Sequence, residues 1–304
     1  MTTLAVGVYF ADVKGFPFNH YVPRGRNLGR VHVTHGGVCR NVTEDLLHVG
    51  EQVKFLSLCD ESAIARDMQR HLIEEGADVS PSLQVKENGI GMFLAIINDK
   101  GDLAGSVSQM PEVEPLEKHV HACCERMVAE ADSIVLEFDL SASVTKDIVL
   151  AAAKYQKKVY ALVGNMSIVL MHPEYLKYLD CFICNEVEAG RLFNMEDVLL
   201  TPTELMELLP REMARLSIPA MVVTMGKDGA IFYDSRTGEQ GHCPSAAREV
   251  IDTTGAGDAF FAGFVAARNH GKNLADAVYL ASSLAAVALA SEESVAPKME
   301  NFLD

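Results

Sequence analysis

The string Ile-Asp-Thr-Thr-Gly-Ala-Gly-Asp-Ala-Phe-Phe-Ala-Gly at residues 251–263 combines an acidic side chain with backbone groups that could bind an anion. The pattern predicts a strand end, a tight glycine turn and the first turns of a buried helix. Gly255 and Gly257 lack the Cβ atom that would keep a ligand away from the backbone. Thr254 is predicted to cap the helix, and the amides and dipole at the helix start favour an anion.

Asp258 places a carboxylate at the edge of the same turn, where it would repel a bound anion. A general base explains this arrangement, because Asp258 could take a proton from an attacking hydroxyl while nearby amides stabilise the transferred group. Those amides belong to Gly255, Ala256 and Gly257. The string therefore indicates phosphoryl transfer to an alcohol. The alternative is a helix start whose glycines serve packing and whose Asp258 interacts only with the helix dipole.

Two other glycine motifs for phosphate binding do not fit this string. A dinucleotide fingerprint would need a third glycine where Phe260 stands. A Walker A loop would need Gly-Lys followed by Ser or Thr, and this tripeptide does not occur in the chain. The glycine turn at residues 255–257 is therefore neither a dinucleotide fingerprint nor a Walker A loop.

Residues 252–260 resemble the signature of the ribokinase-like, or PfkB-type, carbohydrate kinases nearly letter for letter. In that family the second aspartate of the signature is the catalytic base, and the Gly-Ala-Gly amides form the anion hole. The resemblance implies these roles for Asp258 and for residues 255–257. In some relatives a monovalent cation such as K⁺ binds nearby, which makes Asp252 and Thr254 the candidates for such a site.

Polar residues near the amino end of the chain are suited to binding hydroxyl groups. Asp12 follows the apolar run at residues 4–10, which predicts a buried strand, and ligands of open α/β sheets gather where strands end. Asn41 lies about one turn into a predicted helix, where its amide can both donate and accept hydrogen bonds. The family has an Asp and a Gly-Gly-x₃-Asn string at these places. The resemblance implies acceptor contacts from Asp12, Gly36, Gly37 and Asn41, whereas an ordinary turn aspartate is the alternative for Asp12.

Details of these strings favour one branch of the family. Residues 36–42, with the pattern Gly-Gly-Val-x-Arg-Asn-Val, resemble the pseudouridine-kinase-like branch more than ribokinase, as do residues 12–16 and 293–295. One departure is Phe10, because many relatives have an Asn two residues before the acceptor-binding Asp. Asp139, which follows another predicted strand, is by resemblance a further acceptor-binding candidate.

A third polar cluster follows the apolar strand predicted at residues 182–184. Asn185 and Glu188 offer the amide and carboxylate oxygens that suit Mg²⁺, which takes few protein ligands and keeps its waters. The pair resembles the Asn-x-x-Glu motif of the family, which implies Mg²⁺ and phosphate placement. The alternative is a helix start whose acids interact with the helix dipole.

Residues 222–230, Val-Val-Thr-Met-Gly-Lys-Asp-Gly-Ala, resemble the nucleotide-binding segment of the same family. The resemblance implies that Thr224, Gly226 and Gly229 lie near the phosphates and ribose of ATP. ATP and Mg²⁺ are therefore the expected cofactors, with K⁺ as a further candidate.

Strand-like and helix-like segments alternate along the chain and position these residues. This alternation predicts a doubly wound α/β fold with a mainly parallel central sheet and helices on both faces. Insertions at about residues 14–34 and 89–108 read as β segments, the second with a hairpin signal. The resemblance implies that they form a small β-sheet lid on a single kinase domain spanning residues 1–304. A homodimer through the lid is expected.

The composition argues against a nucleic-acid partner, a membrane-spanning segment and secretion. The 304 residues are 49% hydrophobic and 22% charged, which is ordinary for a packed soluble protein. A net charge of −16 argues against nucleic acid. The apolar run at residues 280–289 is too short to span a bilayer. The first ten residues lack the basic segment of a signal peptide, and seven cysteines with no secretory signal favour the cytoplasm.

The sequence therefore predicts an enzyme that moves the γ-phosphoryl group of ATP to a primary hydroxyl of a sugar or nucleoside, with a pseudouridine-like acceptor favoured. Ribose, a fructose-type sugar or a sugar phosphate are the alternative acceptors. A non-catalytic regulator of the same fold that binds a sugar or nucleotide is the alternative from another class. Asp258 argues against the regulator, because a binding protein would gain by losing this negative charge beside an anion.

Overall fold

A computed structural model of the protein describes residues 1–138, 140–164, 166–195, 198, 200–291 and 293–303. Its strands are β1 (Thr2–Val6), β2 (Phe10–Pro17), β3 (Gly29–Gly36), β4 (Gln52–Leu56), β5 (Leu58–Cys59), β6 (Leu83–Gln84), β7 (Gly91–Ile97), β8 (Leu103–Gln109), β9 (Ser133–Glu137), β10 (Lys158–Leu162), β11 (Cys181–Asn185), β12 (Ala220–Thr224), β13 (Ala230–Asp234) and β14 (Gln240–Cys243). Its helices are α1 (Val38–His48), α2 (Ala63–Glu75), α3 (Glu114–Glu130), α4 (Ala142–Tyr155), α5 (Ser167–Met171), α6 (Glu186–Leu192), α7 (Pro202–Leu216), α8 (Ala256–Asn269) and α9 (Leu274–Leu289). Short 3₁₀ turns cover Pro173–Tyr178 and Gly226–Asp228.

Over these residues the central sheet has eight strands in the order β14-β13-β12-β11-β10-β9-β1-β4. The strands from β4 across to β12 run parallel, and β13 and β14 add an antiparallel edge. Helices cover both faces: α1, α2, α8 and α9 pack on one, and α3, α4, α6 and α7 on the other. The strands are buried on both sides and therefore read as apolar runs. The predicted doubly wound α/β fold is confirmed.

The ends of the helices follow from local side chains. Ser62 accepts a hydrogen bond from the amide of Ala65 at the start of α2, and Gly76 ends this helix in a left-handed conformation. Thr201 and Glu204 form a capping box at the start of α7, with Pro202 in its first turn. In the described ranges, the helices do not include one long and apolar enough to cross a membrane.

A separate four-stranded sheet, in the order β3-β2-β7-β8, projects from the carboxyl edge of the central sheet. Strand β2 pairs antiparallel with β3 and parallel with β7, which pairs antiparallel with β8. The predicted small sheet is thus present. Its action as a lid stays a prediction.

The prediction of a single strand over the apolar run at residues 4–10 is wrong. Strand β1 ends at Val6, and Phe10 already belongs to β2, so Asp12 lies inside the small sheet rather than after a strand of the central one. Between the strands the Gly7 amide donates to Leu56 O, and the Val8 amide donates to Glu137 Oε2. Because the crossing between the two sheets is itself buried, its apolar residues do not distinguish it from a strand.

Candidate active site

Helix α8 begins directly after the glycine turn. Gly255 is its N-cap and has a left-handed backbone with a φ of 78°. The predicted cap at Thr254 is wrong, because the Thr254 amide donates to Asp252 Oδ1 over 2.8 Å and closes a separate turn. Within the described part of the chain, α8 has no side-chain cap. An anion would therefore meet no competition from a capping side chain for the first amides.

Gly255 and Gly257 have different surroundings. A Cβ atom on Gly255 would lie only 1.8 Å from the carbonyl oxygen of Ser294, so only glycine fits this backbone. A Cβ atom on Gly257 would have no described atom within 4 Å. Gly255 therefore shapes the turn, whereas Gly257 leaves open space above the helix start.

Asp258 is joined to Asn41 across the interface of α8 and α1. Asn41 Nδ2 donates to Asp258 Oδ2 over 2.8 Å. Protein encloses the carboxyl on most sides, although the residue as a whole is only partly buried. Burial raises the pKa of Asp258 to about 7, against the opposing effects of the Asn41 hydrogen bond and the Arg40 charge. A carboxylate with a pKa near neutrality is suited to accept a proton at ordinary cellular pH.

The acceptor-side predictions come together where β2 and β3 meet α1. A Cβ atom on Gly36 would lie 2.8 Å from Asp12 Oδ2, so the Asp12 carboxylate stands against the end of β3. Gly37 has a φ of 102°, and its missing Cβ lets the chain pass Val8 closely on the way into α1. Burial raises the pKa of Asp12, and the nearby charge of Lys14 opposes this rise. Asp12, Gly36 and Gly37 thus form one edge that leads to Asn41.

Two further features of this edge concern Phe10 and the end of β9. The Phe10 ring lies over Gly91, where a Cβ atom would come within 2.4 Å of it. Asp139 lies outside the described residues. Glu137, which sequence reasoning missed, is buried at the end of β9, and its Oε2 accepts from the Val8 amide over 3.2 Å. The signal was present, since an acid ends the apolar run of β9 two residues before Asp139.

A cleft of about 600 Å³ lies on the other side of the α8 start. Thr224, Gly226 and Gly229 line it together with Ala256 and Gly257, so the structure brings the predicted nucleotide segment to the glycine turn. Its remaining wall is largely apolar and includes Val250, Phe260, Ala285, Ala286 and Leu289. Open amides at one end and apolar side chains at the other suit a phosphate group joined to a flat base.

Asn185 and Glu188 have a structural role at the start of α6. Asn185 Oδ1 accepts from the Glu188 amide, and Glu188 Oε2 accepts from the Asn185 amide, each over 2.9 Å. This capping box agrees with the alternative interpretation of the Asn-x-x-Glu string as a helix start, and the Mg²⁺ role stays a prediction. Asn185 also pairs in register with Thr224, which lines the cleft. The two side chains therefore stand at the strand end beside the predicted phosphate site.

The oxygens of Asn185 and Glu188 are of the type that Mg²⁺ prefers. Among the described residues there is no group of three or more His, Cys, Asp or Glu side chains that could hold a metal ion alone. Mg²⁺ held by one or two protein oxygens, water and phosphate needs no such group, so the residues present fit this ion.

The Asp252 carboxylate is exposed and accepts from the Thr254 amide. Hydrogen bonds from Thr254 lower the pKa of Asp252, and the charge of Lys14 lowers it further. The charge of Lys14 thus acts on both Asp12 and Asp252. Sequence reasoning gave no role to this lysine, although it lies two residues after Asp12 on the same face of β2.

The comparisons with known proteins identify the family of the chain. The family model described as pfkB family carbohydrate kinase matches residues 4–301. The chain is 29% identical to the guanosine-inosine kinase of Exiguobacterium acetylicum over 299 residues, which cover 98% of each chain. It is 22% identical to the pseudouridine kinase of Escherichia coli strain K12, over 97% of this chain and 92% of that kinase.

The solved structure of Arabidopsis thaliana ribokinase complexed with ribose and ATP superimposes with a TM-score of 0.83 at 18% identity, over 98% of this chain and 96% of that one. This likeness confirms the ribokinase-like fold. Together with the family model, which covers nearly the whole chain, it confirms the resemblance seen in the glycine string. The chain belongs to the pfkB family of carbohydrate kinases, whose matched relatives include kinases of sugars and of nucleosides.

Proposed function

We propose that the protein transfers the γ-phosphoryl group of ATP to the primary hydroxyl of a nucleoside. The observation that carries this proposal is the 2.8 Å hydrogen bond between Asn41 and Asp258 beside the uncapped start of α8. This pair lies between the cleft suited to a nucleotide and the edge formed by Asp12, Gly36 and Gly37. A base with a pKa near 7 thus stands between the two predicted substrate sites.

In the proposed reaction the acceptor hydroxyl, held by Asp12 and Asn41, attacks the γ-phosphorus and gives its proton to Asp258. The new oxygen–phosphorus bond forms as the bond to ADP breaks. The amides of residues 255–257, at the positive end of α8, stabilise the charge on the phosphoryl oxygens. When bound, Mg²⁺ would neutralise phosphate charge, with Asn185 and Glu188 holding it through water. Asp252 and Thr254 remain the candidates for a K⁺ site.

The comparisons support a nucleoside acceptor over a free sugar. The guanosine-inosine kinase and the pseudouridine kinase both match along almost their whole length. Phe10 supports the same choice, because it stands where many relatives have an Asn, and its partly buried ring beside Gly91 would give a base an apolar surface. Purine nucleosides and pseudouridine are therefore the first acceptors to examine. Ribose is the second candidate, since ribokinases also match.

The direct test is ADP release from Mg-ATP with guanosine, inosine, pseudouridine, cytidine, ribose, fructose and fructose phosphates. We expect a nucleoside to exceed ribose in kcat/KM by at least about 100-fold, because a site that binds a base loses those contacts with a free sugar. Mass spectrometry and phosphorus NMR would locate the phosphate on the primary hydroxyl. Turnover of ribose alone would contradict the nucleoside proposal, and no turnover of any acceptor would favour a binding protein.

Substitution of Asn185 separates its capping role from a role in phosphate placement. Asn185→Ala is expected to lower the free energy of unfolding by about 1 kcal/mol, because the Glu188 amide loses its acceptor. Asn185→Ser keeps a capping oxygen and should restore stability. If Asn185 also orients Mg²⁺, kcat stays at least about 10-fold low in the Ser variant. Chemical denaturation and ADP release measure the two effects, and full activity in the Ser variant would leave only the cap.

We further propose that the outer face of the small sheet joins two copies of the chain. Val13, Val33, Leu94 and Val107 lie opposite one another across all four strands and form an apolar row. Val33, Leu94 and Val107 are 53%, 45% and 66% exposed, which is unusual for an aligned apolar row in water. The polar residues Asp12 and Ser108 occupy the opposite face. A second copy of the same face would cover this row through a two-fold contact.

Charge on the outer face is expected to separate the dimer. The double variant Val33→Glu with Val107→Glu should sediment as a monomer at concentrations where the wild type is a dimer, because like charges would meet across the two-fold contact. Ser106→Glu adds a charge to the same strand on the other face and serves as the control. Analytical ultracentrifugation measures the result. A wild type that sediments as a monomer, or a charged variant that stays dimeric, would contradict the proposal.

A further inference from the structure

We propose that Arg40 is a positioning residue of the active site, which sets the orientation of the Asn41 carboxamide and thereby makes Asn41 a hydrogen-bond donor to Asp258. This inference rests on the proposed function, because it assigns a role in the same reaction. Arg40 itself would touch no reacting atom and would act through Asn41.

The contacts of Arg40 allow only one orientation of the amide. Arg40 Nη1 donates to Asn41 Oδ1 over 2.9 Å and to His35 O over 3.2 Å. A guanidinium group has donors and no acceptor, so the atom of Asn41 that faces it must be the oxygen. The amide nitrogen then faces Asp258 Oδ2. The reversed amide would set donor against donor at Arg40 and acceptor against acceptor at an ionised Asp258.

Arg40 is held by a second buried charge. Its Nη2 pairs with Glu44 Oε2 one turn further along α1, and Glu44 Oε1 lies 3.0 Å from His71 Nε2 on α2. Arg40 and Glu44 are only 3% and 4% exposed. Among the described residues, Arg40 Nε has no hydrogen-bond partner. A buried pair with an unmet donor is a poor source of stability, so its position beside Asn41 is the better reason for it.

Among the described residues, Arg40 supplies the positive charge that lowers the pKa of Asp258. Burial raises the pKa of the Asp45 carboxyl and of the Cys39 thiol, which are neighbours of Arg40 on α1, well above their usual ranges. Glu137 on β9 acts electrostatically on Cys39, as Asp258 does. Lys14 on β2 acts on Asp12 and Asp252. Loss of Arg40 therefore removes the charge and the donor geometry that both favour the ionised form of Asp258.

The test measures the effect of Asp258→Asn in two backgrounds, the wild type and the double variant Arg40→Met with Glu44→Gln. The second change avoids leaving a buried carboxylate without its partner. Thermal unfolding is followed from about pH 4 to about pH 10, because the stability gained by Asp258→Asn grows with pH and levels off near the pKa of the folded Asp258. We expect the levelling-off pH to rise by about one unit in the double variant, which is a tenfold change in proton affinity.

A matched control is the ion pair of Arg215 and Glu212 on α7, where Arg215 Nε donates to the buried Glu212 over 2.7 Å. Arg215→Met with Glu212→Gln should destabilise the protein without moving the levelling-off pH. If the Arg40 double variant does not fold, Arg40→Lys keeps the charge but has no planar fork, and a smaller rise in the same direction is expected.

The thermal measurement needs no substrate, so its outcome is independent of the acceptor. An unchanged levelling-off pH in both the double variant and Arg40→Lys would overturn the role of Arg40 even in an active kinase. Missing turnover on every acceptor, with the shift present, would contradict the proposed function and leave the role of Arg40 at Asp258 in place. Where an acceptor is turned over, the acid limb of the pH profile of kcat/KM should move to higher pH by about one unit in the double variant, as the levelling-off pH does.

Discussion

Asp258→Asn is expected to lose about 10³-fold in kcat and to gain stability at the same time. The loss follows because an amide cannot take the proton of the attacking hydroxyl. The local geometry should survive, since the carbonyl oxygen of the introduced amide can accept the bond that Asn41 Nδ2 now donates to Asp258. Binding of ATP and of the acceptor should therefore change much less than kcat. Steady-state kinetics with the acceptor found by ADP release measures both effects.

The gain in stability follows from the sign of the pKa shift. Burial raises the pKa of Asp258 from 3.8 to about 7, so the folded protein binds a proton that the unfolded chain releases. The carboxyl contributes no destabilisation below about pH 4, a growing one between about pH 4 and 7, and the full effect above about pH 7. Three pKa units correspond to about 4 kcal/mol, and we expect about 2 kcal/mol because water still reaches the cleft.

Thermal unfolding of Asp258→Asn and the wild type at about pH 5 and about pH 8 measures this difference. Asp276→Asn, at the exposed start of α9, makes the same chemical change away from the site and should lose a few tenths of a kcal/mol by weakening the dipole interaction. Unchanged kcat would contradict the general-base role. A variant less stable than the wild type at every pH would contradict the raised pKa.

The parts of the fold with a strong local pattern could be predicted from the sequence. The parallel strands are buried on both faces and read as apolar runs, and the helices between them carry ordinary caps. The glycine string identified the start of α8, because few other patterns combine Gly-Ala-Gly with an acid. The passage at residues 7–9 could not be predicted, since a crossing between two sheets is as buried and apolar as the strand before it.

The errors and omissions at the site have a common cause, which is that partners distant in sequence decide them. Thr254 had the chemistry of a cap, but Gly255 is the N-cap, where Ser294 O leaves no room for a Cβ atom, and the Thr254 amide donates to Asp252 instead. Arg40 contributed to the sequence prediction only as part of the pattern at residues 36–42, whereas the role proposed for it depends on contacts with Asn41, Glu44 and His35 in three dimensions. Periodicity and motif spacing carry no information of this kind.

The second large effect is expected at the two glycines of the same turn, where one substitution should have opposite consequences. Gly257→Ala should fold normally and gain about 0.5–1 kcal/mol, because Gly257 lies in the first turn of α8 and its Cβ would meet no described atom. Its kcat/KM should fall about 100-fold, because the added methyl group occupies space above the amides where a phosphoryl group would bind. Gly255→Ala should instead lose about 3 kcal/mol or more of stability, because its φ is positive and its Cβ would strike Ser294 O.

Denaturant unfolding and ADP release on the same preparations separate the two cases. If residues 255–257 only shaped a helix start, activity would follow stability. Gly255→Ala would then lose activity in proportion to its lost stability, and Gly257→Ala would be as active as the wild type. A more stable Gly257→Ala with little activity can arise only where the open space above the turn is used by the reaction. Gly257→Ala that keeps full activity would remove the anion hole from the mechanism, because no phosphoryl group could then lie within hydrogen-bond distance of these amides.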